Sequence, residues 1–92
     1  MAIVQVKLKV IAPETCKYFI AVDEKELMFV NGEATIPLTS GEEHILIWRL
    51  IGNSGDSVSI VGTVNGKEVV NVKEGKIPPG KTKAAGYRRF TP

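Results

Sequence analysis

Val4, Val6, Leu8 and Val10 alternate with Gln5, Lys7 and Lys9. A two-residue apolar period puts one face of a strand in a core and the other in solvent. It does not fit a helix, whose apolar stripe recurs about every 3.6 residues. The alternation returns at residues 44–51, where His44, Leu46, Trp48 and Leu50 form one face and Ile45, Ile47, Arg49 and Ile51 the other. Apolar residues on both sides predict a central strand, or one whose second face is covered by a partner. No segment shows convincing helical periodicity, so the expected fold is all-β.

Turn chemistry divides the rest of the chain. The first strand ends near Pro13, residues 17–22 (KYFIAV) form a second strand with apolar groups on both faces, and DEKE at 23–26 is a turn. Two segments, FVNGEA at 29–34 and TVNGKE at 63–68, place Asn-Gly between β-rich runs. Both residues tolerate positive φ, which makes the pair a strong hairpin signal. A two-residue loop at Asn31-Gly32 sets Phe29 opposite Ala34 and Leu27 opposite Ile36, giving one apolar face. The same loop at Asn65-Gly66 sets Ile60 opposite Asn71. A three-residue loop with Gly66 in a bulge instead pairs Ile60 with Val70 and Val58 with Val72, and is preferred because a one-residue slip turns every side chain over. Strands of this length and spacing predict an antiparallel β-sandwich of about seven strands, immunoglobulin-like in architecture. The cysteine pair of antibody domains is absent.

With 92 residues the chain makes one domain, 1–92, and its 43% hydrophobic and 24% charged residues mark it as globular. Cys16 is the sole cysteine, which excludes an internal disulfide and a cysteine-based metal site. The alternating N-terminal segment reads as a strand and not a signal peptide, and no apolar run approaches membrane-spanning length, so the expected location is cytoplasmic. The net charge of +2 hides an asymmetry. Residues 1–72 hold six basic residues against nine acids, a net −3, while segment 73–92 holds six against Glu74 alone, a net +5.

Residues 75–82, GKIPPGKT, satisfy the phosphate-binding pattern G-x-x-x-x-G-K-[ST]. That loop works through successive backbone N–H groups and a following helix N-terminus. Pro78 and Pro79 remove two donors, and the ten residues KAAGYRRFTP leave no room for a nucleotide fold. The segment is expected to be a Pro-Pro-Gly turn between strands, and no nucleotide or other cofactor is expected. His44, the only histidine, lacks the nucleophile pattern that catalysis would need and cannot by itself supply a zinc set. Cys16 is expected to be a small buried hydrophobe, and Trp48 the main core aromatic. Asp23, Glu24, Glu26, Glu42, Glu43 and Asp56 sit at turns without calcium-loop spacing.

These readings converge on a non-catalytic protein-interaction or structural module, an oligomer or accessory subunit of a larger assembly. Its expected partner interface is Ile45, Ile47, Arg49 and Ile51. The alternative is binding of nucleic acid or another polyanion through Lys81, Lys83, Tyr87, Arg88, Arg89 and Phe90, where guanidinium groups meet phosphates and rings meet bases. In a strand, however, Tyr87 and Arg89 take one face and Arg88 and Phe90 the other, which splits the patch.

Overall fold

The strands predicted from alternation form, and the breakers between them either close a hairpin, as at residues 23–24 and 65–66, or send the chain from one sheet to the other. The structure is a computed structural model describing residues 2–92. Its strands are β1 (Ile3–Ile11), β2 (Lys17–Val22), β3 (Lys25–Glu26), β4 (Glu33–Thr39), β5 (His44–Ile51), β6 (Ser57–Val64), β7 (Lys67–Lys76) and β8 (Lys83–Phe90). They build two four-stranded sheets, ordered β4-β1-β6-β7 and β3-β2-β5-β8, with every pairing antiparallel. The count is eight where about seven were expected. The extra element is β3, two residues that pair with the end of β2 across the Asp23-Glu24 turn.

The core lies between the sheets. One sheet contributes Val6, Leu8, Val10, Ile36, Leu38, Val58, Ile60, Val70 and Val72; the other contributes Ile20, Val22, Leu46, Trp48, Leu50 and Phe90. Leu8, Ile20, Leu46, Leu50 and Ile60 are almost wholly buried, and truncating any of them to alanine costs about 2–5 kcal/mol. Trp48 is 5% exposed, the core aromatic its position predicts. Ile77, fully buried, closes one end through backbone hydrogen bonds with Asp56 and Gly55. At the open β2 side, Phe29 stands edge-on to Tyr18, with ring centroids 5.6 Å apart.

Both Asn-Gly turns form, and both depart from the expected registers. Asn31 and Gly32 adopt positive φ, but only one bridge, Val30 to Glu33, follows. Phe29–Ala34 and Leu27–Ile36 do not pair, because β4 crosses to the other sheet and pairs with β1. The Asn65-Gly66 loop has two residues, not three: Val64 pairs with Lys67 and Thr63 with Glu68. A bulge between Gly62 and Thr63 then restores the apolar face by setting Ile60 opposite Val72. The parity argument therefore holds, but the extra residue sits in β7 rather than in the turn. A strand bulge corrects the facing while leaving the favoured two-residue turn intact.

Candidate functional site

The two outward faces differ. On the β4-β1-β6-β7 sheet, Lys7 stands between Thr35 and Thr63, Gln5 faces Pro37, and Lys9 lies between Glu33 and Val61. An ion pair from Lys7 to Glu33, 2.8 Å, adds to this polar middle, and Ile3 and Ile11, 62% and 65% exposed, stand at the two ends of β1 on the same side. On the β3-β2-β5-β8 sheet, the register sets three rows across the outward side: Lys17–Ile51–Lys83, Phe19–Arg49–Ala85 and Ala21–Ile47–Tyr87. A fourth row pairs Ile45 with Arg89. Phe19 is 45% exposed, Ile51 44% and Tyr87 65%. No layer of the chain covers this face among the described residues.

All four interface candidates, Ile45, Ile47, Arg49 and Ile51, point out from this face, as expected for the second side of a central strand. Ile47, Arg49 and Ile51 line a shallow groove of about 930 Å³, and Ile45 lies outside it. Glu24 and Glu26 lie on its β3 side and Arg49 and Lys83 on the other, so the groove carries charge of opposite sign on its two walls. Phe19 and Lys17 also belong to this surface and were missed as site residues. The signal for them was present, since Phe19 is the outward member of a strand with apolar groups on both sides.

The polyanion set divides. Lys83, Tyr87 and Arg89 point outward, whereas Arg88 turns toward β7 and Phe90 is buried in the core. Arg88 donates to the Asn71 carbonyl at 3.1 Å and forms an ion pair with Glu74. Lys81 lies apart from the strand, in the Pro78–Lys81 turn, where its N–H donates to the Pro78 carbonyl and Gly80 supplies φ +78°. That turn is the Pro-Pro-Gly connection expected for GKIPPGKT.

His44 begins β5 and is 7% exposed. Its Nδ1 lies 2.5 Å from Asp23 Oδ2 and its Nε2 3.0 Å from the Thr39 carbonyl oxygen. Both neighbours are acceptors, and only the imidazolium offers two N–H donors. The hydrogen bond to Asp23 raises the His44 pKa against the opposing effect of burial, with the Thr39 carbonyl adding to it. Burial alone would raise Asp23, but hydrogen bonds from His44 and the Ile45 N–H outweigh it and hold the carboxyl low. The pair ties the β2–β3 turn and the end of β4 to β5, and nothing in the sequence spacing announced it.

Cys16 is buried, and burial together with the Asp56 carboxylate pushes its thiol up. A raised pKa keeps the thiol protonated and a poor nucleophile. Among the described residues, no group of three His, Cys, Asp or Glu side chains is placed to hold a metal ion. No helix there is long and apolar enough to cross a membrane. No family model matches the chain, and neither does a curated protein or a solved structure.

Proposed function

We propose that the chain is a non-catalytic protein-interaction module that engages its partner through the outward face of the β3-β2-β5-β8 sheet. One observation carries this reading: the outward face of the β4-β1-β6-β7 sheet is polar between Ile3 and Ile11 at the ends of β1, whereas the other face groups Phe19, Ile47, Ile51 and Tyr87 around Arg49 with no covering layer. Interface centres are enriched in aromatic and arginine side chains, which anchor the contact once water is excluded around them. The immunoglobulin-like likeness is proposed only at the level of two antiparallel sheets packed face to face, because the strand order β4-β1-β6-β7 over β3-β2-β5-β8 differs from that of immunoglobulin domains. A cytoplasmic location belongs to the same proposal.

The test places a photoreactive side chain at Ile47 and, separately, at Lys7 on the polar face. A specific partner captured from 47 and not from 7, whose purified form loses affinity for the Ile47→Asp variant, supports the reading. Equal capture from both positions overturns it.

Polyanion binding is the second reading, favoured by the grouping of Lys17, Arg49, Lys83 and Arg89 with Phe19 and Tyr87 on this face. Affinity for a single-stranded oligonucleotide would then fall with salt by a log–log slope of about −0.7 per phosphate contact.

A further inference from the structure

We infer that the free edge of β8 takes up an extended acidic segment of a partner protein as a fifth strand of the β3-β2-β5-β8 sheet. This rests on the interaction reading above and names how the partner docks. Each sheet has two edges, and three of the four are blunted. β4 carries Pro37 in its middle, which lacks a donor. β3 is only two residues long. β7 is interrupted by register shifts at both ends of its pairing with β6, and bulges of this kind twist an edge away from new partners. β8 lacks these three protections; β7 of the facing sheet lies beside it, and Arg88 reaches across to the Asn71 carbonyl and to Glu74. The eight residues of β8 pair with β5 without a break, and the strand makes no other backbone hydrogen bond among the described residues.

The chemistry of this edge selects the occupant. Segment 75–92 contains no acid, and Lys83 and Arg89 stand at the two ends of the outward side of β8. Two copies of β8 paired with each other would bring these charges together, which disfavours self-addition. A strand with acids on its outward side meets Lys83 and Arg89 instead. On the inward side Ala84 is small, whereas the Trp48 indole already fills the space over Gly86. Two acids of the chain already reach this strand: Glu74 pairs with Arg88, and Glu43 makes a loose 3.9 Å pair with Arg89. A peptide backbone matches the alternating N–H and C=O groups of a strand edge, which a phosphodiester backbone does not.

The probe is a blocked twelve-residue peptide alternating glutamate with valine, added to the isotope-labelled whole chain, with a lysine–valine counterpart and oligodeoxythymidylate as controls. The expected result is saturable binding of the acidic peptide, with amide exchange within β8 slowed by at least about tenfold. The doubly substituted Lys83→Glu, Arg89→Glu chain changes only exposed side chains, and its affinity is expected to fall by about tenfold or more, equivalent to about 1.4 kcal/mol. No binding up to about 1 mM, binding that leaves β8 amides unprotected, preferential binding of the oligonucleotide, or a doubled molar mass from β8 self-pairing each overturns the inference. Peptide failure alongside partner capture at position 47 overturns strand addition and leaves the face reading standing. β8 protection without capture at 47 supports the edge and overturns the face.

Discussion

The Trp48 indole fills the space that a side chain at Gly86 would need. The two residues are opposite each other in the β5–β8 register, and a Cβ at Gly86 would lie 2.7 Å from Trp48 Cε2 and closer still to Cζ2. The glycine is not there for its backbone freedom, since its φ is not positive. It is there because the largest core side chain covers that position. Gly86→Ala is therefore expected to destabilise the fold by about 1–3 kcal/mol, the usual cost of overpacking. Denaturant midpoints check this, and an unchanged midpoint would show that the ring shifts freely.

The Asn65-Gly66 turn tests a different property of glycine. Gly66 has φ +79° with open space around its Cβ position. Gly66→Val is expected to cost about 1 kcal/mol or more through backbone strain alone, because β-branched residues tolerate this region poorly. A neutral result in thermal unfolding would mean that the turn rearranges.

The His44–Asp23 pair predicts a pH window for stability. The folded pKa of His44 is raised, so its contribution is complete below its unfolded value of about 6.5 and is lost as pH rises through the folded value. That of Asp23 is lowered, so its contribution is complete above about pH 3.9 and is lost as pH falls through the folded value. Chemical denaturation is expected to show stability declining as pH rises above about 6.5 and through the raised folded value of His44 in the wild type. The decline is expected to flatten in His44→Gln. An identical slope in both would sink the assignment of this titration to His44.

Neighbouring arginines are expected to behave differently. Arg88→Glu sets a second acid beside Glu74 and removes the bond to the Asn71 carbonyl, a loss on the order of 1 kcal/mol. Arg89 makes only a loose 3.9 Å pair with Glu43 and is well exposed, so Arg89→Glu is expected to shift stability by less than about 0.5 kcal/mol. Equal melting shifts would contradict the split orientation of the two side chains.

Titration calorimetry with Mg²⁺-ATP or Mg²⁺-GTP is expected to be flat, because Pro78 and Pro79 leave the GKIPPGKT turn without two backbone donors. A micromolar signal abolished by Lys81→Ala would reverse that expectation.

Strand identity was legible in the sequence because a period of two is a local property. The alternation in residues 44–51 assigned Ile45, Ile47, Arg49 and Ile51 to one face, and the structure keeps that face uncovered within the chain. The same logic separated Tyr87 and Arg89 from Arg88 and Phe90. Turn chemistry was equally local, so both Asn-Gly pairs and the Pro-Pro-Gly connection form where their residues place them. Apart from the β6–β7 hairpin, tertiary structure decided which strands pair. It sent β4 across to β1 instead of leaving it in a hairpin, reduced β3 to two residues, and placed the extra residue in β7. These outcomes depend on closing one core between two sheets, and the competing registers differ only in contacts between residues far apart in the chain. The Asp23–His44 pair, 21 residues apart, and the unblocked β8 edge belong to the same class. Neither exists until the sheets have assembled, because each is defined by what stands beside it in space and not by its neighbours in sequence.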